Sequence, residues 1–156
     1  MLDLNLPPCE INIKKDGQNL IVFDRLRAKY VALTPEEWVR QNFVNYLIAY
    51  KKYPPMLIAN EMQIKLGRRI KRCDSVVYDN QLQPLVIVEY KAPEVSITQK
   101  VFEQIARYNY VLKVPYLIVS NGMNHYCCEI DYEKQSIAYL EEIPSYEELI
   151  ISTKQV

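Results

Sequence analysis

RCDSVVYDNQLQPLVIVEYKAP, residues 72–93, is the stretch that predicts how the rest of the chain folds. It has the pattern of two β-strands joined by a polar turn at residues 79–81. The first strand carries Asp74, and the apolar second strand ends in Glu89 and Lys91. Because side chains alternate between the two faces of a strand, Glu89 and Lys91 point to the same side. Charged groups are costly to bury unless they are paired or bind a metal, so this strand end is a candidate functional site.

An acid pair at the end of a core strand suits phosphate chemistry. The carboxylates of Asp74 and Glu89 can hold Mg²⁺ beside a scissile phosphate, and a bound metal lowers the pKa of water. The ammonium of Lys91 adds a positive charge near the attacking water or near the phosphorane that forms. The spacing alone is a weak pattern, because the same residues also fit a surface hairpin with opposite charges two positions apart.

The charge composition restricts how this chain can meet nucleic acid. The 156 residues, 49% of them apolar, fit one globular domain with a core. The 19 basic and 19 acidic residues leave no net charge, so any DNA-facing surface must be local. A short basic segment contains Lys65, Arg68, Arg69, Lys71 and Arg72. It predicts either a cationic projection that grips a phosphate backbone or a solvated turn.

The terminus and the cysteines indicate a cytoplasmic protein. The N-terminus lacks a charged region followed by an apolar one, and no apolar run approaches the ~20 residues of a membrane span. The four cysteines have no C-x-x-C spacing, which argues against a zinc site or a disulfide framework. We interpret all four as reduced core residues. They are Cys9, Cys73, Cys127 and Cys128.

The first part of the chain predicts a hairpin within residues 9–33 and then a helix over about residues 36–52. Arg27 lies in an irregular link that follows the two hairpin strands and leads to residues 30–33, and it is interpreted as a solvated loop charge. Thr34 is followed by a proline and, three positions on, by Glu37, which is the pattern of a capping box. Glu37 is therefore a capping residue, an accessory acid that leans toward the site, or both.

After the central hairpin, a second helix is predicted from residue 96 or 98 to about residue 112. Gln104 falls within its apolar stripe, where it needs hydrogen-bond partners, either in the backbone or at the end of the Glu89 strand. Residues 115–120 then predict a buried strand reached by a crossover, and residues 123–150 predict a C-terminal hairpin. The apolar stripe comprises Ile97, Val101, Ile105, Tyr108 and Leu112.

These residues together resemble the N-terminal nuclease domain of type I restriction enzyme R subunits, within the PD-(D/E)xK superfamily. The resemblance rests on Asp74, on Glu89-x-Lys91 that begins 15 residues later, and on Gln104-x-x-x-Tyr108 in the following helix. The proline that usually precedes the aspartate is a cysteine here.

The resemblance implies an α/β fold, namely a restriction-endonuclease-like mixed β-sheet flanked by helices. It implies a single domain over residues 1–156 with a nuclease core at about residues 34–122.

The resemblance also implies roles for individual residues. Asp74 and Glu89 would be metal ligands for Mg²⁺ or Mn²⁺, and Lys91 would be the catalytic base or a transition-state stabiliser. Gln104 and Tyr108 would form a positioning pair near the phosphate or the lysine. The catalytic set implied by the family is Asp74, Glu89, Lys91, Gln104, Tyr108 and Glu37, the last being the acid of the first helix.

The function implied is that of a metal-dependent DNA endonuclease domain. Its expected partners are DNA and other restriction-modification subunits. A homodimer is a further expected arrangement, and no membrane is expected to be involved. The chain contains no G-x-x-x-x-G-K-[ST] loop, so no ATP-driven motor is expected within it. Two alternatives stay open: a non-catalytic nucleic-acid-binding module, and a protein-interaction module, which the 13 tyrosines and the zero net charge favour.

Overall fold

Three antiparallel strands form the N-terminal part of the computed structural model, which describes residues 1–154. They are β1 (Ile13–Asp16), β2 (Asn19–Asp24) and β3 (Lys29–Ala32). The predicted hairpin is present, and β3 adds a strand where the sequence predicted an irregular link. Asp24 closes the turn before β3, because its Oδ1 accepts hydrogen bonds from the backbone N–H groups of Leu26 at 2.8 Å and Arg27 at 2.9 Å.

Helix α1 (Pro35–Lys51) follows its predicted bounds closely. The Oγ1 of Thr34 accepts a hydrogen bond of 3.0 Å from the backbone N–H of Glu37, which caps the first turn. The helix ends at Lys52, whose φ of 61° is left-handed. The side chain of Glu37 does not complete the predicted capping box, because its carboxylate accepts a hydrogen bond of 2.7 Å from Arg27 instead.

Six strands form the main sheet and follow one another across it in sequence order. They are β4 (Ile58–Leu66), β5 (Arg69–Tyr78), β6 (Pro84–Tyr90), β7 (Tyr116–Ser120), β8 (His125–Asp131) and β9 (Ser136–Leu140). Strands β6 and β7 are parallel, and the other neighbouring pairs are antiparallel. Helix α2 (Gln99–Tyr110) makes the crossover between the two parallel strands. The predicted α/β class, with a mixed sheet flanked by helices, is confirmed.

Helices cover both faces of this sheet and create two apolar cores. The α1-side core joins α1 and α3 (Tyr146–Lys154) to the sheet and includes Phe43 and Leu149. The α2-side core lies on the opposite face and includes Phe102. Because β6 is buried on both faces, residues 85–88 are apolar without alternation. No helix within residues 1–154 has the length and apolarity needed to cross a membrane.

The buried face of α2 differs in part from the predicted stripe: Leu112 is buried and Ile97 and Ile105 pack against the core, but Tyr108 does not. Phe102, Ala106 and Asn109 are buried, whereas Gln104 is exposed and Tyr108 retains 53% of its accessible surface. The spacing of four and then three residues places the buried three on one helix face. A phenyl ring buries more favourably than a phenol, whose hydroxyl must keep a hydrogen-bond partner, so the helix turns Phe102 rather than Tyr108 inward. The prediction of Gln104 as a core-face residue was wrong.

Three of the four cysteines lie in the core. Burial raises the pKa of the thiols of Cys73, Cys127 and Cys128 to about 12, so they are protonated at neutral pH. Cys9 is exposed, and its interpretation as a core residue was wrong. Its neighbour in the fold is Asn42 of α1, whose Oδ1 lies 3.5 Å from the thiol sulfur.

Candidate active site

Asp74 and Glu89 lie side by side on the neighbouring strands β5 and β6. Ser75 pairs with Val88 in the ladder, which places Asp74 opposite Glu89. Asp74 Oδ2 accepts a hydrogen bond of 2.9 Å from the backbone N–H of Tyr90. The two carboxyl groups are close enough that the charge of Asp74 raises the pKa of Glu89. The strand pairing therefore presents two acidic side chains to one small volume.

The proximity of the two acids changes the protonation of Glu89. Burial, followed by the charge of Asp74 and a hydrogen bond to it, raises the pKa of Glu89 to about 8. A hydrogen bond from Asn109 and the charge of Lys91 act in the opposite direction and are outweighed. Without a cation, Glu89 therefore keeps its proton at neutral pH.

An open cavity of about 430 Å³ lies between this strand end and the exposed side of α2. Gln104 and Tyr108 line it, so their exposure places them at the cavity wall and not in the core. Lys91 lines it from the end of β6, where its backbone N–H donates a hydrogen bond of 2.9 Å to Ser120 O. The full lining is Arg72, Glu89, Lys91, Val101, Gln104, Ile105, Tyr108 and Asn109.

A larger cavity of about 490 Å³ lies away from the acid pair, between the N-terminal sheet and α1. Asp24 and Gln41 are among its polar lining residues. The hydrogen bonds of Asp24 serve the turn before β3 and Asn60 of β4, so this cavity brings no catalytic pair together.

Glu37 is held by basic and amide groups of the N-terminal half of the chain. It accepts hydrogen bonds from Arg27 Nη2 at 2.7 Å and Gln41 Nε2 at 3.0 Å, and Arg40 Nε lies 3.2 Å from it. The structure does not place it among the residues that line the 430 Å³ cavity. Its connection to Asp74 runs through Arg40, whose Nη1 donates a hydrogen bond of 2.9 Å to the Asp74 backbone oxygen. Arg27, interpreted from the sequence as a solvated charge, is instead bound between two acids.

The basic segment divides into two groups. Lys65, Arg68 and Arg69 are exposed at the β4–β5 hairpin, where the sequence predicted a cationic projection. Lys71 lies nearer to α2, with its Nζ 3.4 Å from the centre of the Tyr108 ring. Arg72 lines the same cavity as Glu89 and Lys91.

Three residues of the site were missed by sequence reasoning. Arg40 binds the backbone of Asp74, and Glu61 binds Arg40 Nη2 at 2.5 Å. Asn109 is 2% exposed, lines the cavity together with Glu89, and keeps its Nδ2 3.0 Å from Ile105 O. The available sequence signal for Asn109 was its place directly after Tyr108, in the helix that carries the predicted positioning pair. A buried asparagine in a helix needs a polar partner.

The donor set at the acid pair fits a hard cation with few protein ligands. Within residues 1–154 no group of three or more His, Cys, Asp or Glu side chains surrounds a common point. Mg²⁺ is commonly bound by one or two carboxylates together with waters and substrate phosphates, whereas structural zinc requires four protein ligands. The raised pKa of Glu89 indicates a site whose second negative charge needs a cation.

Comparison with known proteins places this geometry in a family. The family model described as the type I restriction enzyme R protein N terminus (HSDR_N) matches residues 35–144, well over half of the chain. The chain belongs to this family. The matched residues include Asp74, Glu89, Lys91 and the two α2 residues of the cavity wall. A comparison with curated proteins gives no match.

A solved structure supports the fold of this R-protein N-terminal domain. It is described as a fragment of an HsdR subunit of a type I restriction enzyme from Vibrio vulnificus YJ016. The two chains superpose with a TM-score of 0.55 at 20% sequence identity, which shows a shared fold. The match covers 79% of this chain and 26% of the other, so this chain spans about a quarter of that fragment.

Glu89→Gln should stabilise the metal-free domain at alkaline pH. The folded-state pKa of about 8 lies above the ordinary value of 4.5, so ionisation of Glu89 costs stability as pH rises between these values. In EDTA, the variant should therefore have a higher Tm than wild type at pH 9, and the gain should shrink toward pH 5. Each 1 kcal/mol corresponds to about 2–4 °C for a domain of this size.

Thermal unfolding of the wild type, Glu89→Gln and the exposed control Glu94→Gln across this pH range makes the comparison. Equal pH profiles for wild type and Glu89→Gln would show that neither burial nor the charge of Asp74 raises the pKa of Glu89.

Proposed function

We propose that this domain is a metal-dependent DNA endonuclease that hydrolyses phosphodiester bonds. The observation that carries the proposal is the acid pair: Asp74 and Glu89 lie opposite each other on neighbouring strands, and Glu89 and Lys91 line the same open cavity. A divalent cation would relieve the repulsion between the two carboxylates, and an adjacent ammonium suits a reaction in which negative charge builds up on phosphate. Membership in a restriction enzyme family supports the assignment of the substrate as DNA.

Asp74 and Glu89 are the residues that would hold Mg²⁺ or Mn²⁺. When bound, the ion supplies Lewis acidity to a phosphate oxygen and lowers the pKa of water at the site. The backbone N–H of Tyr90 fixes one oxygen of Asp74 at 2.9 Å. The Asp74 carboxylate is therefore oriented before any ligand arrives, which lowers the entropy lost on binding.

Lys91 would act on the phosphate and not on the metal. An ammonium has three donors and no acceptor, so it binds phosphate oxygens or a water but cannot ligate a cation. Its backbone is tied to Ser120 at the end of the parallel strand pair, which fixes the point from which the side chain extends. In the proposed reaction it stabilises the charge that develops on the phosphorane, or accepts the proton of the attacking water once deprotonated.

Gln104 and Tyr108 would position substrate from the helix side of the cleft. They are one helical turn apart on the exposed side of α2 and face the same cavity as Glu89 and Lys91. The ammonium of Lys71 over the Tyr108 ring holds that ring at the entrance. We assign them to positioning because both line the cavity and neither hydrogen-bonds to the acid pair.

The exposed β4–β5 hairpin would grip the DNA backbone. Replacing Arg68 and Arg69 by alanine should weaken binding to all DNA sequences about equally, because phosphate contacts carry no sequence information. The slope of log affinity against log salt concentration should also become less steep, by up to the equivalent of about two phosphate contacts. Binding isotherms at several salt concentrations, on DNAs of unrelated sequence, measure both effects.

Lys15→Ala combined with Lys134→Ala is the charge-matched control, since both lysines are exposed and lie outside the basic segment. Loss of affinity for one sequence only would indicate base recognition by the arginines. An unchanged isotherm would show that the hairpin charges are merely solvated.

DNA and other restriction-modification subunits are the proposed partners of this chain, and a homodimer is a further proposed arrangement. The family name and the matched HsdR fragment support the first two. Because this chain spans only about a quarter of that fragment, sequence recognition by the whole enzyme would come from other chains or other domains.

The decisive experiment is cleavage by the purified chain. Plasmid, single-stranded and branched DNA are incubated with Mg²⁺ or Mn²⁺ in the absence of ATP, and cutting should stop on addition of EDTA. Binding to DNA with no metal-dependent cutting of any substrate would support the binding-module alternative. A chain that binds neither metal nor DNA would leave the protein-interaction alternative.

A further inference from the structure

Glu61 occupies a backbone conformation that glutamate rarely adopts. Its φ of 56° is in the left-handed region, although it lies inside the strand β4. Non-glycine residues in this region cost about 1–3 kcal/mol and occur where the surrounding structure imposes them, often at functional sites. Glu61 lies opposite Asp74, between the pairs Asn60–Ser75 and Met62–Cys73.

The strands change face at this point. Ile58 belongs to the α1-side core and Ile64 to the α2-side core, although residues six apart in a regular strand point to the same face. On β5, Val77 and Cys73 are divided between the two cores in the same way. The left-handed residue thus turns the hairpin over beside the acid pair, so the part of the hairpin that carries Arg72 takes a new orientation there.

The carboxylate of Glu61 is shared between two arginines. Its Oε1 lies 2.5 Å from Arg40 Nη2, and its Oε2 lies 2.6 Å from Arg72 Nε. Arg40 also donates to the backbone oxygen of Asp74. One side of the Glu61 carboxylate therefore belongs to the support of the acid pair, and the other side holds an arginine on the cavity wall.

Arg72 is held in an orientation that leaves two donor groups free for a ligand. Its side chain is 67% exposed and lines the cavity with Glu89 and Lys91. Glu61 accepts a hydrogen bond from Nε, and no group within residues 1–154 accepts one from Nη1 or Nη2. A planar guanidinium presented by its terminal nitrogens matches two oxygens of one phosphate group. An exposed ion pair adds little stability by itself, so its consequence is orientation.

We propose that Glu61 positions Arg72 as a phosphate clamp of this cleft, with Nη1 and Nη2 binding two oxygens of a backbone phosphate next to the acid pair. The inference rests on the proposed nuclease function and assigns the recognition of one phosphate to two further residues. It separates Arg72 from the exposed hairpin arginines, which would meet the backbone farther from the cleft.

A double-mutant cycle on single-turnover cleavage tests the clamp. Arg72→Ala should slow cleavage by about 10- to 100-fold, the range expected for losing a charge-assisted pair of hydrogen bonds. Glu61→Gln should slow it in the wild-type background but add little in the Arg72→Ala background, because both act on one contact. Arg72→Lys should not restore the rate, since it keeps the charge but loses the fork. Arg107→Ala, an exposed arginine outside the cavity, is the matched control.

A binding measurement decides the same point without cleavage. In the Lys91→Ala background, DNA carrying one neutral methylphosphonate is scanned along the strand in the presence of Mg²⁺. At one position the methylphosphonate should weaken binding when Arg72 is present, and the same substitution should have no effect on binding by Arg72→Ala. Should Glu61→Gln fold poorly because Arg40 also loses a partner, Glu61→Gly removes the backbone cost at the positive φ and still deletes the carboxylate.

Wild-type cleavage together with an unchanged Arg72→Ala rate would overturn the clamp and leave the nuclease function intact. Full additivity of Glu61→Gln and Arg72→Ala would show that Glu61 acts only through Arg40. If the wild type binds DNA without cutting it, the methylphosphonate scan decides the clamp alone. If the wild type does not bind DNA, both the function and the clamp are overturned.

Discussion

Asp74→Ala is expected to abolish divalent-metal binding and DNA cleavage together, whereas Lys91→Ala should lose cleavage and keep most of the metal affinity. Asp74 and Glu89 are the two carboxylates at the site. Removing Asp74 leaves Glu89 as a single acid, and the charge of Asp74 no longer raises its pKa. A lone carboxylate holds Mg²⁺ weakly in water, so cleavage should fall to background.

The lysine variant separates catalysis from binding. Lys91 cannot ligate a cation, and its positive charge repels a metal ion bound nearby. Its removal should therefore leave metal affinity equal or slightly higher. Loss of a charge that stabilises the transition state typically costs about 10²- to 10³-fold in rate. Titration calorimetry with Mn²⁺ and single-turnover cleavage measure the two properties separately.

Two exposed residues supply matched controls for this comparison. Glu94→Ala and Lys100→Ala remove the same charges outside the cavity and should change neither property. Metal binding that survives in Asp74→Ala would show that the acid pair is not the metal site. Cleavage that survives in Lys91→Ala at the wild-type rate would remove the lysine from the mechanism.

Asp24→Ala is expected to cause a large loss of folding stability. Asp24 is 1% exposed, and its Oδ2 lies 2.5 Å from Arg27 Nε and 2.9 Å from Asn60 Nδ2. Asn60 in turn accepts a hydrogen bond of 2.6 Å from Ser75 Oγ, which lies 2.9 Å from Tyr90 OH. This buried polar chain ties the N-terminal sheet to the strands of the site. Breaking such a network on one side costs about 3–5 kcal/mol, because charged and polar partners stay buried without compensation.

The loss should appear in chemical denaturation at neutral pH, and it corresponds to a fall in Tm on the order of 10 °C. Glu36→Ala removes an exposed acid from the first turn of α1 and should cost at most about 1 kcal/mol. Equal stabilities for the two variants would show that the Asp24 network does not contribute to folding.

The pH dependence of this effect has a defined sign. Burial alone would raise the pKa of Asp24, but hydrogen bonds from Arg27 and Asn60, with the charge of Arg27, hold that pKa below its ordinary value of 3.8. A lowered folded-state pKa contributes stability above that ordinary value and loses it as pH falls through the folded-state pKa. The stability difference between wild type and Asp24→Asn should therefore be constant from pH 7 to pH 5 and narrow below about pH 4.

Much of the fold was predictable because its signals are local. The capping threonine at Thr34, the apolar run before Glu89 and the turn after Tyr78 each depend on neighbouring residues. The third N-terminal strand was missed because the residue that makes its turn, Asp24, reads in sequence as an ordinary strand end. Its role depends on backbone N–H groups that only the folded turn brings to its carboxylate.

The rotation of α2 was not predictable for a related reason. Two adjacent stripes of that helix are both apolar enough to be buried, and the choice depends on which one the sheet can accommodate. The sheet accepts Phe102 and Ala106, and this choice places Gln104 and Tyr108 at the cavity. Glu37 shows the opposite case, since the sequence offered it as a site acid and the fold surrounds it with Arg27 and Arg40.

The sequence by itself determined the α/β class, the order of the main elements and the presence of an acid pair with a lysine at one strand end, because residue type and spacing govern these features. The tertiary structure alone decided which charges meet. Pairing of β5 with β6 brings Asp74 to Glu89, and the left-handed turn at Glu61 joins Arg40 and Arg72 through one carboxylate. Electrostatic interactions depend on distance and burial in three dimensions, and residues far apart in sequence acquire both only when the chain has folded.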